Sequence, residues 1–129
     1  MQVNLIAQKI HAHLKSAKEV LLVPHKNPDG DTLGSVTATL LWLTRAGIPH
    51  RAFCTTPIPP ALRFLPEVDR VSSDPSIWND PQVDTVITFD SGDLRHSGID
   101  TYIANMPRRP VVINIDHHAT NEQFGSFNL

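Results

Sequence analysis

The amino-acid sequence predicts an α/β fold, a mainly parallel sheet with crossover helices, and three observations carry that expectation. Short apolar, β-branched runs stand at residues 20–23, 83–89 and 111–115, each the length of a strand buried on both faces. Segments of helical spacing lie between them. Each run stops at a polar cluster, HKNPDGD, DSGD and DHH in turn, and open parallel sheets bind ligands at the C-terminal ends of their strands.

The elements follow in order. Ile6, Ile10 and Leu14 fall at i, i+4 and i+8 with Val3 and Ala17 on the same side, so residues 3–17 read as an amphipathic helix. Residues 20–23 form the first strand, halted by Pro24. After the polar cluster, Leu33, Val36, Leu40 and Leu43 recur at helical spacing up to Gly47, a C-cap, with Pro49 as a stop. Residues 51–54 read as a short second strand. The proline-rich stretch TTPIPPALRFLPEVDRV predicts one helical turn around residues 61–65. Ile99, Tyr102, Ile103 and Met106 allow a helix between the last two strands, giving the order β-α-β-β-α-β. Trp42 and Trp78 are expected to pack, and Cys54 to be a small core residue. His11, His13, His50 and His96 are expected on the surface, and Arg108 and Arg109 in a solvated loop.

Composition narrows the function. The chain has 129 residues, about one domain. Eleven Lys and Arg against thirteen Asp and Glu give a formal charge of -2, so there is no global basic field for long duplex DNA. The single cysteine excludes an internal disulfide and a thiolate metal cluster, which suits a reducing compartment, and the cytoplasm is expected. The N-terminus MQVNLIAQKI lacks a basic region followed by a long apolar run, and no stretch approaches the roughly 18 apolar residues of a membrane span.

The polar clusters carry the chemistry. If the three loops meet, His25, Asp29, Asp31, Asp90, Asp93, Asp116, His117 and His118 crowd together, and so many carboxylates stay ionised only beside a cation. Imidazole and carboxylate donors without thiolate suit manganese, iron(II), cobalt or zinc better than calcium, and the carboxylate share favours manganese. Each cluster also has a structural reading by itself. PDGD reads as a turn with Asp capping the next helix, DSGD as a helix start capped by Asp90 or Ser91, and the His pair as solvent-exposed. An EF-hand fails, because Ala38 or Leu40 would stand at loop position twelve, where a bidentate Glu is needed. Three such clusters at three strand ends favour a metal site.

These motifs resemble the DHH phosphoesterase superfamily, which includes RecJ-type exonucleases, nanoRNases that also act on 3'-phosphoadenosine 5'-phosphate, and family II inorganic pyrophosphatases. HKNPDGDTLGS is similar to the first family motif, FDSGD to the second and NIDHHATNEQFG to the third, and ALRFLPEVDRV looks like the nanoRNase branch. The resemblance covers residues 20–128. It implies that His25 and Asp29 bind one manganese, Asp31 and His117 a second, and Asp90 bridges the two. His118 would face the phosphate and Asp116 would orient a neighbouring group. The implied activity is two-metal hydrolysis of short oligonucleotides or of nucleotide phosphomonoesters, with no membrane partner and with a homodimer left open. Two other functions stay open, an inorganic pyrophosphatase and a non-catalytic nucleotide-binding regulatory module; the presence of all five implied ligands favours an enzyme. The family's fourth motif and its C-terminal substrate-binding domain are not found before Leu129. Residues 1–129 are therefore expected to be the N-terminal part of a DHH domain, with little activity by themselves.

Overall fold

Val20, Leu21, Leu22 and Val23 are all fully buried, and the two faces of the strand they form explain why no polar residue interrupts them. Val20 and Leu22 point into a core shared with Ile10, Leu14, Val36, Leu40 and Leu43. Leu21 and Val23 point the other way, into a core of Phe53, Trp78, Val86 and Ile99. A sheet covered on both sides favours near-continuous apolar runs in its strands.

The computed structural model describes residues 2–129. Its elements are α1 (Gln2–Ser16), β1 (Val20–Pro24), α2 (Gly30–Ala46), β2 (His50–Phe53), β3 (Val71–Ser72), β4 (Thr85–Phe89), α3 (Leu94–Ser97), α4 (Asp100–Ala104), β5 (Val111–Ile115) and β6 (Phe127–Asn128). Short 3-10 turns occupy Pro60–Leu62, Val68–Arg70 and Pro75–Asn79. All strand pairs are parallel, and the sheet order is β3-β2-β1-β4-β5-β6. The expected α/β fold with a parallel sheet is the observed one. Among the described residues no helix is long and apolar enough to cross a membrane.

Register places the chemistry. The chain leaves β1 for β2 on one side and later returns to β4 on the other, so a crevice opens between β1 and β4. Pro24 pairs with Phe89, and Phe89 with Ile115. The next residues, His25, Asp90 and Asp116, therefore leave the sheet side by side.

Several local expectations change. α2 begins at Gly30, earlier than the apolar spacing shows, because Asp29 caps it by accepting from Thr32 N at 3.0 Å. It ends as read, with Gly47 left-handed at φ 68. The turn expected around 61–65 is a 3-10 turn at Pro60–Leu62. The last helix is two pieces, α3 and α4, divided by the left-handed Gly98 at φ 73. The cap of α3 is Asp93, which accepts from His96 N at 2.7 Å, not Asp90 or Ser91. Trp78 and Cys54 are buried as expected, whereas Trp42 is 41% exposed beside the His11 ring instead of packed. β3, β6 and the turn Pro75–Asn79 have no counterpart in the sequence reading.

Candidate metal centre

The loop after β1 delivers the first group of donors. His25 is buried, and its Nδ1 lies 2.7 Å from Lys26 O, which can only accept, so Nδ1 carries the proton. Nε2 then faces Asp29 Oδ1 at 3.6 Å and Asp90 Oδ2 at 3.7 Å. One ring nitrogen and two carboxylate oxygens from these three residues thus converge at separations too long for hydrogen bonds. One atom from each lies within 4.8 Å of the others. That donor set fits a divalent cation, which supplies the charge the acceptors lack. The hydrogen bond from Thr32 holds the Asp29 carboxyl below its usual pKa, keeping it ionised. Thr32 also donates from Oγ1 to Phe89 O at 3.0 Å, tying this loop to the end of β4.

Asp90 opens the second group. Its side chain is only 10% exposed, and its backbone sits at φ 56, a left-handed conformation rare for a residue with a side chain. His117 Nε2 lies 2.9 Å from Asp90 Oδ1 and 3.4 Å from Asp31 Oδ2. One oxygen of Asp90 thus faces the first group and the other faces the second. Asp31 and His117 are well exposed, at 61% and 70% of their side chains, so this group opens toward solvent. Asp31, Ser35, Phe89, Asp90, Ile115 and His117 help line a depression of about 250 Å³ there.

Asp116 and His118 also lie within metal-binding distance of Asp90 and His117, but their atoms are engaged otherwise. The Asp116 side chain is 1% exposed; Oδ1 accepts from His118 Nδ1 at 2.6 Å and from His117 N at 2.9 Å, and Oδ2 from Asn121 Nδ2 at 2.7 Å. Burial pushes its carboxyl up, yet the bonds from Asn121 and His118 outweigh it, and Asp116 ends below its usual pKa. Its hydrogen bond and charge in turn hold the His118 imidazole above its usual value. The geometry makes Asp116 a holder of His118, with Nε2 of His118 left free.

All seven implied residues come together. Asp93 does not join them, being spent on the α3 cap. His96, expected to be a plain surface residue, is exposed yet rests its ring 4.7 Å from that of His25. The sequence reading missed Asn121 and Asn114, neutral amides with no charge pattern to mark them.

The chain from residue 19 to 127 matches the model of the DHH family, N-terminal domain. It is 32% identical over 110 residues to the bifunctional oligoribonuclease and PAP phosphatase NrnA of Thermus thermophilus, covering 85% of this chain and 31% of that protein. Its fold is similar to that of an exopolyphosphatase-related protein from Bacteroides fragilis, with a TM-score of 0.85 and 19% identity over 98% of this chain and 38% of the other. The chain thus spans about a third of the length of each.

Proposed function

We propose, from the premise that the chain belongs to the DHH family, that its protein is a divalent-metal-dependent phosphoesterase acting on short oligonucleotides and on nucleotide phosphomonoesters. Residues 1–129 supply the metal-binding part of its catalytic domain. The observation that carries the reading is Asp90, one nearly buried carboxylate whose two oxygens face two separate donor groups. The substrate class rests on the likeness to the Thermus thermophilus oligoribonuclease and PAP phosphatase.

His25 and Asp29 hold one ion, Asp31 and His117 the other, and Asp90 both. Manganese is the proposed metal, because three carboxylates and two imidazoles make a mixed, oxygen-rich donor set. Two such ions, when bound, supply a water of lowered pKa and positive charge for the phosphate oxygens. The chain's own residues do the rest. His118, whose pKa Asp116 raises, would in its protonated form present Nε2–H to a phosphate oxygen and stabilise the charge that grows on it. Asp116 holds the proton on Nδ1 and fixes the ring. The cytoplasm is the proposed location, in keeping with a lone, buried, unpaired cysteine.

The test is turnover by the whole protein on a dinucleotide, on 3'-phosphoadenosine 5'-phosphate and on pyrophosphate, with and without manganese. Release of mononucleotide or phosphate from the first two, lost on chelation and restored by manganese, is the expected result. Hydrolysis of pyrophosphate alone would assign the pyrophosphatase function instead.

A further inference from the structure

The side-chain amide of Asn121 is saturated. Nδ2 donates to Asp116 Oδ2 at 2.7 Å and to Ser91 O at 3.1 Å, while Oδ1 accepts from Asn114 Nδ2 at 2.7 Å and from Gln123 N at 2.6 Å. Its orientation follows from its partners. Turned over, the amide would set its oxygen against a carboxylate and a carbonyl, and its NH2 against two donors.

Those partners belong to different parts of the sheet edge. Ser91 follows β4, Asp116 follows β5, and Asn114 lies within β5 and is itself buried. One amide therefore ties two loops of the site to the strand beneath them. The effect on Asp116 is specific. A carboxylate can swing about its χ2 torsion unless both oxygens are held, and Asn121 is the side chain that holds Oδ2. With Oδ2 fixed, Oδ1 is fixed toward His118 Nδ1.

We propose that Asn121 is a positioning residue for His118: it locks the Asp116 carboxylate, which holds Nδ1–H of His118 and leaves Nε2 turned to the phosphate. The inference rests on the phosphoesterase reading for its kinetic consequence, but not for its geometry. Partners of this kind, one step removed from the reacting groups, typically carry 10- to 100-fold effects.

The experiment compares Asn121→Ala, His118→Ala and the double variant of the whole protein on the dinucleotide, with manganese content measured in each. Asn121→Ala is expected to lower kcat by about 10- to 100-fold with KM and manganese content within about 2-fold. In the His118→Ala background the same change is expected to cost less than about 3-fold, since the group being positioned is gone. Asn121→Leu keeps the approximate volume without donor or acceptor and is expected to match Asn121→Ala, and thermal melts of each variant in chelator separate lost positioning from lost folding. Independent losses that multiply, or manganese lost in proportion to rate, would overturn the proposal.

A second readout needs no turnover. In the magnesium-loaded protein, at a pH that leaves the ring neutral, the Cδ2 carbon shift of His118 reports which ring nitrogen carries the proton. Nδ1–H is expected in the parent and a shift toward Nε2–H in Asn121→Ala; an unchanged shift overturns the inference. The expected shift in a protein that hydrolyses nothing would support the positioning role while removing the phosphoesterase reading.

Discussion

Asp90 stands in the left-handed region at φ 56, which costs a residue with a side chain on the order of 1–3 kcal/mol. It also keeps a carboxylate nearly out of water, and among the described residues its side chain has one hydrogen-bond partner, His117. Neither feature helps the fold. Both are explained if the carboxylate must point between two cations. Asp90→Asn preserves the shape and tolerates the same backbone, so it separates folding from binding. In chelator the variant is expected to melt no lower than the parent. Manganese at a hundredfold excess over its Kd should stabilise the parent by about 2.7 kcal/mol for each ion bound and leave the variant nearly unmoved. Hydrolysis should fall to background. His118→Ala should behave in the opposite way, losing about 10²- to 10³-fold in kcat while keeping its manganese, since the role proposed for its Nε2 is toward substrate and not metal. Equal manganese loss in the two variants would remove the role given to His118. The three clusters that contain the seven charged and imidazole residues were legible from the sequence because each cluster follows an apolar run, and the resemblance to the DHH family picked the seven from the eight candidates. Asn121 was not: hydrogen bonds among neutral amides leave no trace in charge or hydropathy.

The start of α2 shows two readings of one residue to be compatible. Asp29 caps the helix, as its turn sequence implies, and the same Oδ1 faces His25. The two jobs come apart by substitution. Asp29→Asn keeps an acceptor for Thr32 N and should melt within a few tenths of a kcal/mol of the parent in chelator, whereas Asp29→Ala should lose about 1 kcal/mol. Both should bind the first manganese poorly, and an Asn variant with normal manganese content would reduce Asp29 to a cap. At the other end of the site, β6 depends on Gly125. A Cβ there would meet Phe127 O at 2.5 Å, Val112 O at 3.0 Å and Asn114 Cβ at 3.1 Å, two of them backbone atoms that cannot turn aside. Gly125→Ala is expected to cost about 1–3 kcal/mol, read by denaturant melts, and a neutral substitution would show that this edge gives way freely. β1, β4 and β5 were readable because each is a five-residue run of apolar or β-branched residues broken by at most one amide, bounded by polar clusters. β3, β6 and the turn Pro75–Asn79 were not, since two to five residues without a run of apolar neighbours do not complete a period that hydropathy can show.

Across the whole molecule the two edges of the sheet do different work. The C-terminal edge gathers the donors, and its convergence follows from a register that the sequence does not state, Pro24 against Phe89 against Ile115. What the sequence did state was that three strands end in polar clusters, and parallel pairing then brings those ends to one side. The opposite edge is held by a clamp. Glu19, just before β1, pairs with the Nε and Nη2 of Arg51 in β2, and Nη2 also reaches Asp80 Oδ2 at 2.7 Å, just ahead of β4. Three central strands are thus fastened where they begin. The N–H of Gln82, and after it Arg51, hold the Asp80 carboxyl below its usual pKa. A carboxyl that is more acidic in the folded chain binds protons first in the unfolded one, so stability must fall as pH drops. The contribution is whole above the ordinary Asp value of about 3.9 and is lost as pH falls through the lowered folded value. Asp80→Asn keeps an acceptor for Gln82 N but not the charge. It is expected to melt below the parent at pH 7, by a margin that shrinks with added salt because the pair is partly exposed. Below about pH 4 the margin should narrow, and it should close once the parent's own Asp80 is protonated. Thermal melts of both proteins between pH 7 and pH 2 decide it: a margin that stays constant across that range would mean that the charge of Asp80 contributes nothing, and that Arg51 is held by Glu19 alone.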